Sequence, residues 1–258
     1  MRTLWCCLPI ILLAAALPAA HAADGHPTPW AFEVSGIYNL ADIEYSTVNE
    51  YVGELAGSWR TNPAFDVGTV EKFQDNAFED FKIGFRYRRV HFGFTFCVVN
   101  QLHAKVEYRT FFNDGKLELK GNSREFLVYG GYMHPLFSWL DLGGFGSVGL
   151  GTTKLDITYR DPLSSGEAFE HNPEDNYPVW RAEARMRIHL TPYVALDLGG
   201  GYRSSVAEEL RGDGTDSSGI PFFDKPAGFN FPLGKPITVD FTGLYYGAGL
   251  TLKSPFGP

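Results

Sequence analysis

The sequence predicts an all-β protein: a closed, antiparallel, up-and-down transmembrane β-barrel of eight strands, with ten if the first long loop hides a hairpin. Three observations carry this. From Val179 to Leu190, Trp180, Ala182, Ala184, Met186, Ile188 and Leu190 alternate with Arg181, Glu183, Arg185, Arg187 and His189. A strand has period two, so one face there is wholly apolar and the other a ladder of charges. Secondly, similar segments recur, joined by connections that alternate between tight turns and long loops, as in barrels that cross a bilayer. Thirdly, the apolar faces are bulky: Trp30, Phe32, Val34, Tyr38 and Leu40; Phe81, Ile83, Phe85 and Tyr87; Phe92, Phe94, Phe96 and Val98. So many large residues on one side overfill a thin sandwich core but suit a surface wetted by lipid, with aromatics near both interfaces.

The chain opens on an export signal: Arg2 as the positive region, Leu4 to Leu17 as the apolar region, and Ala20-His21-Ala22 as a small-x-small cleavage site. Residues 1–22 are thus expected to be removed, leaving 23–258 as one barrel domain. That apolar run is too short for a helix of about 20 residues crossing a bilayer. Cys6 and Cys7 leave with the signal, and Cys97 remains as a lone thiol read as a small packed residue. An exported chain without an internal disulfide needs another source of closure, which a barrel supplies. The formal net charge is −8, and −9 once Arg2 is lost, which argues against a nucleic-acid partner and against polybasic docking on anionic lipid. Aromatic residues make up 15% and glycines number 29, fitting a barrel with aromatic girdles and closely packed strands.

The strands running one way are read as Trp30 to Leu40, Val90 to about Thr110, Phe137 to about Tyr159, and Tyr193 to Arg203. The returning strands are Phe78 to Arg88, Lys116 to Met133, Tyr177 to Leu190, and Ile237 to Leu252. Tight turns are expected at Arg88-Arg89, His134-Pro135 and Leu190-Thr191-Pro192. Long connections are expected at 41–77, 160–176 and 204–236, and Asn113-Asp114-Gly115 reads as a turn capping a projecting hairpin. In the first long loop Thr47 and Glu50 resemble a capping box, and Val48, Tyr51, Val52, Leu55 and Trp59 recur at helical spacing. A short helix and a loop folding its aromatics over the barrel mouth fit that spacing equally.

By this register the inner face carries Lys82, Arg86, Arg88, Arg181, Arg185 and Arg187 against Glu33, Asp80, Asp141, Glu183 and Asp197. The signs nearly balance, as charges confined in a narrow lumen must. The ladder reads first as an ion-paired core holding the strands in register, and alternatively as a narrow conduit whose arginines select anions. Eight strands enclose an interior that side chains just fill, which argues against a general pore.

Catalytic and metal readings are weaker. His91, His103, His134, His171 and His189 have no serine two residues on and no adjacent nucleophile. Glu170-His171 with Glu174 and Asp175 reads as an acid–base or metal cluster or as an acidic solvated loop, and composition favours the loop. Asp213 and Asp216 lack the carboxylate spacing of a calcium loop. No cofactor, metal or catalytic residue is therefore expected. Phe222, Phe223, Phe229 and Phe231 lie among prolines and glycines, either packing back over the mouth or meeting a partner.

The run Tyr245-Tyr246-Gly247-Ala248-Gly249-Leu250-Thr251-Leu252 resembles the C-terminal assembly signal of bacterial outer-membrane proteins, carried by Tyr245, Gly247, Leu250 and Leu252. It departs from that pattern by ending on Leu252 rather than an aromatic, with Lys253 to Pro258 trailing. Phe137-Ser138-Trp139-Leu140-Asp141-Leu142-Gly143 and Tyr193-Val194-Ala195-Leu196-Asp197-Leu198-Gly199 look like the post-turn strands of small eight-stranded outer-membrane barrels, the outer-membrane protein A, X and W superfamily. The resemblance covers nearly the whole mature chain. It implies residence in the outer membrane of a Gram-negative bacterium. It also implies contact with outer-membrane lipid, lipopolysaccharide and the assembly machinery, a monomeric state, and a non-enzymatic role in envelope integrity or surface interaction through the loops. The alternatives it implies are transport of a small hydrophobic or anionic molecule, and a barrel hydrolase acting on lipid or peptide.

Overall fold

Strand pairing closes on itself in the computed structural model, which describes residues 30–43, 45–73, 77–109, 114–160, 168–208, 210–215, 221–226 and 237–256. The ring consists of β1 (Trp30–Ile43), β3 (Ala77–Tyr87), β4 (Val90–Arg109), β5 (Asp114–Phe137), β6 (Leu140–Arg160), β7 (Ala168–His189), β8 (Val194–Ala207) and β12 (Gly243–Phe256). Each pairs antiparallel with its sequence neighbour in the ring, and the β1–β12 and β7–β8 pairings complete it. A row of Cα partners runs from Trp30 through Tyr87, Val90, Tyr132, Gly144, Ala184 and Gly200 to Tyr246. It returns to β12 ten residues before Phe256, the direct partner of Trp30. That stagger over eight strands requires the strands to tilt by about 40° from the barrel axis.

The apolar faces point outward. Phe94, Phe126, Val148, Leu150, Trp180, Leu244 and Tyr246 are all exposed, Val148 and Leu150 by 64% and 67%. The charged ladder points inward: Arg181, Arg185, Arg187 and Asp197 are at most 4% exposed. Trp30, Tyr87, Phe92, Tyr132, Phe137 and Trp139 gather towards the short-turn end and supply an aromatic girdle there.

At the long-loop end the ring gives way to a wider sheet. β4 to β7 run beyond their neighbours; β2 (Asp66–Glu71) pairs with β4, and β9 (Arg211–Thr215) with β10 (Pro221–Pro226) extends β7. The strand order there is β10-β9-β7-β6-β5-β4-β2. Its inner side is filled by helix α1 (Ser46–Arg60) and the short β11 (Val239–Asp240), which pairs with β8. Val48, Tyr51, Val52, Leu55, Ala56 and Trp59 of α1 share one apolar core with Leu102, Val106, Tyr108, Leu117, Leu119, Leu155, Ile157 and Phe169.

Several expectations are corrected. The turn placed at His134-Pro135 lies at Ser138-Trp139, because β5 continues to Phe137 through a register shift after Pro135. The returning strand expected from Ile237 starts at Gly243, and Ile237 and Val239 are core residues instead. The supposed loops 160–176 and 204–236 contain strand: residues 168–176 of β7, and β9 and β10. α1 begins before Thr47 and its N-cap Tyr45 makes no side-chain capping bond, so no Thr47–Glu50 capping box starts it; burial of its apolar stripe does. β12 does not stop at Leu252 but continues to Phe256, so the terminal strand ends on an aromatic paired with Trp30. The export segment 1–22, Asn113, Asp216, Phe229 and Phe231 lie outside the described residues.

Candidate functional site: a lumen in two storeys

The short-turn half of the lumen is filled by stacked tiers of ion pairs, three of them joined through Arg185–Asp197 and Lys82–Asp80. Nearest the short-turn end, His189 Nε2 donates to Asp141 at 2.9 Å, since a carboxylate only accepts. Its Nδ1 then accepts from the Lys253 ammonium at 2.8 Å. Next, Arg187 donates to both oxygens of Glu33, 2.9 and 3.0 Å, and forks onto both oxygens of Asp197, 2.7 and 2.9 Å. Glu33 also accepts from His91 Nδ1 at 3.1 Å and lies 3.9 Å from Arg86. Thr251 donates to Asp197 and shares a hydroxyl contact with Ser35. The following tier joins Lys82 to Glu183 at 3.0 Å, with Arg185 and the Tyr245 hydroxyl also donating to Glu183. The last tier joins Arg181 to Asp80 at 2.8 Å and to Glu125 at 2.6 Å, while Arg203 and Ser205 also donate to Glu125.

Rings fill the gaps between these charges. The guanidinium of Arg185 lies 4.3 Å from the Phe145 ring centre, and both Arg181 and Arg203 lie over Phe78 at about 5 Å. Glycines make the room. A Cβ on Gly151 would fall 2.4 Å from the ring of its cross-strand partner Tyr177, whose hydroxyl reaches Ser123 and Thr153. Above this hydroxyl cluster the lining turns apolar, and α1 closes the storey.

β4 changes face between the two storeys. Between Val99 and Leu102 the β4 strand advances three residues while β5 advances two, from Ser123 to Gly121. This bulge flips the parity of β4, so that Cys97 and Val99 face inward below it and Leu102, Ala104, Val106 and Tyr108 face inward above it. Cys97 is a buried free thiol, as its reading as a packed residue expects.

The predicted inner-face residues thus separate. Glu33, Asp80, Lys82, Arg181, Glu183, Arg185, Arg187 and Asp197 lie together in the lumen, and Arg86 and Asp141 sit half-buried near its short-turn end. Arg88 does not join them. It occupies the β3–β4 turn with φ of 56° and lies exposed over the Tyr87 ring. Sequence reasoning missed Glu125, Arg203, His91 and Lys253. Arg203 shares the parity of Asp197 on β8, which was signal enough; Glu125 had none, because the stretch of β5 beside it is apolar on both faces, Phe126 and Val128 on one and Leu127 and Tyr129 on the other.

Along β12, Tyr245 points into the lumen and Leu250 and Tyr246 point out. Phe223 is exposed on β10. His171 donates through Nε2 to the carbonyls of Gly212 and Lys225, tying β7 to the β9–β10 hairpin rather than to Glu170 or Glu174. His103, with Glu71 and Glu118 at 3.4 and 3.0 Å, stands on the outer face of the projecting sheet. Among the described residues no group of three or more His, Cys, Asp and Glu side chains is placed to hold a metal ion.

A closed eight-stranded ring with an apolar exterior and its charges sealed inside defines an integral membrane β-barrel of the outer-membrane class. No protein-family model matches the sequence, and no curated protein matches it. Among solved structures, the chain is similar to the attachment invasion locus protein Ail of Yersinia pestis (9% identity, 88% of this chain and 99% of that one, TM-score 0.37). It is also similar to OprG of Pseudomonas aeruginosa (14%, 89% and 97%, 0.37) and to the outer-membrane protease OmpT of Escherichia coli (10%, 90% and 99%, 0.43). The assignment of class rests on the closed ring and its exterior.

Proposed function

We propose that the chain is exported on its first 22 residues, assembled through its terminal strand with Phe256 as the closing aromatic, and serves as a non-conducting, non-enzymatic barrel. Its long-loop end is displayed at the cell surface for envelope integrity or surface interaction. The observation that supports this is the double closure of the lumen. Arg181 and Lys82 pair with Asp80 and Glu183 across the barrel, and α1 packs an apolar storey above them. Every arginine of the ladder is engaged by a carboxylate, which removes the free positive lining an anion conduit needs. Against a hydrolase, among the described residues none of His91, His103 and His189 hydrogen-bonds to a serine, threonine or cysteine.

The test is single-channel recording of the refolded mature chain in planar bilayers. Silence is expected. Discrete, reversible conductance steps would transfer the protein to the transport class.

A further inference from the structure

We propose that the outer wall of β5 and β6 carries a binding site for the phosphate of an anionic lipid headgroup in the outer leaflet, built by Arg124 and Lys154 with Asn122 between them. The proposal rests on the outward apolar belt being the lipid face. On β5 the outward residues Val128 and Phe126 end at Arg124, and on β6 Val148 and Leu150 end at Thr152. Arg124 pairs across the sheet with Thr152 and Val98, so no carboxylate stands opposite it. One rung further out, Asn122 pairs with Lys154, which places Lys154 diagonal to Arg124. Diagonal neighbours on one face of a sheet are about 7–8 Å apart, a span that two long cationic side chains close around one phosphate.

The position along the barrel is what selects a lipid. Arg124 is the first charged residue above the exposed Phe126 and Leu150, so a headgroup bound there lays its acyl chains on those two side chains. The corresponding step on β3, from Phe81 to Glu79, is acidic, so the basic step belongs to the β5–β6 wall and not to the whole rim. Lys154 also pairs with Glu174. Both side chains of that pair are about half exposed, so the pair is weakened by solvent and yields to a phosphate held by two cations.

The test uses the full mature chain in detergent micelles, titrated separately with bisphosphorylated lipid A, with the same lipid dephosphorylated, and with inorganic phosphate, and read by native mass spectrometry. The wild type is expected to retain one phosphorylated lipid. The R124Q/K154Q variant is expected to lose at least tenfold in retention, while K116Q/R160Q, altered nearer the strand tips, keeps it. Inorganic phosphate at the same concentration is expected neither to bind nor to compete. Heat-modifiable gel mobility confirms that each variant is folded. Equal retention of the phosphorylated and dephosphorylated lipids, unchanged retention by R124Q/K154Q, or equal binding of inorganic phosphate overturns the site. A conductance step in the recordings above bears on the closed lumen alone and leaves this outcome independent.

Discussion

Arg181 on β7 and Asp80 on β3 meet at 2.8 Å although their strands stand four places apart in either direction around the ring, so this ion pair spans the lumen along a diameter. Lys82 and Glu183 repeat the crossing one tier nearer the short-turn end. Such pairs act as transverse struts. They fix opposite walls at a set separation.

Cutting a strut leaves a charge buried without its partner. Arg181→Ala takes from Asp80 its closest cation, leaving it the Asn39 amide and Lys82 at 4.0 Å, while Glu125 keeps Arg203; removal of one member of a buried pair costs about 3–5 kcal/mol. Urea titration of the barrel in vesicles, followed by heat-modifiable mobility, is expected to show a loss in that range; a change below about 1 kcal/mol contradicts the strut role.

The outward belt can be tested by a charge. Val148 stands on the outer wall of β6, and arginine placed at the midplane of a barrel wall costs about 2–4 kcal/mol when that wall faces hydrocarbon. Val148→Arg is therefore expected to be destabilising by that amount in bilayers. On a water-facing surface the same change is nearly neutral, so the measurement distinguishes the two solvents directly.

The proposed closure has two separable parts, α1 and the strut network. Leu55 is fully buried in the apolar storey, and Leu55→Ala is expected to cost about 2–5 kcal/mol, confined to the long-loop end. Limited proteolysis should then cut within residues 41–77 while the ring stays protected. Conductance should remain silent, since the struts below are intact. A pore opened by this substitution alone means that α1 is the sole seal.

His171 makes the projecting hairpin sensitive to pH. Burial holds its imidazole below the usual 6.5, outside the lipid-facing wall, and its neutral Nε2–H bridges the carbonyls of Gly212 and Lys225. Because the folded value is lowered, the unfolded hairpin binds the proton more readily. The contribution is whole above about 6.5 and declines as pH falls below it. Amide exchange across 211–226, corrected for its intrinsic rate, is expected to be faster at pH 5 than at pH 7.5. His171→Gln, a neutral donor, should abolish the difference.

How much of this was legible varies with the residue pattern. β7 announces itself because its two faces differ completely, and a period of two then fixes which side is which. β5 is different. Phe126 and Val128 point out while Leu127 and Tyr129 point in, so both faces read as apolar and Glu125 cannot be assigned a side. In β4 the alternation is real on each half, but the bulge after Val99 reverses it, and nothing in the run Val98 to Leu102 marks the change. The turn misplaced at His134-Pro135 has a similar origin. Proline suggested a stop, yet at a sheet edge or a bulge a strand tolerates it, and β5 runs on to Phe137.

By itself the sequence determined that membrane-length ribbons carry an apolar face opposite a charged one, because side-chain alternation is a local consequence of strand geometry; the bulk of the apolar faces pointed them outward, and eight strands were read with ten left open. Only the tertiary structure decided which charge meets which, that the stagger of ten residues carries Arg181 across to Asp80, and that α1 enters the mouth rather than lying over it. Those outcomes depend on closure, and closure is a property of all eight strands at once that no single stretch of chain encodes.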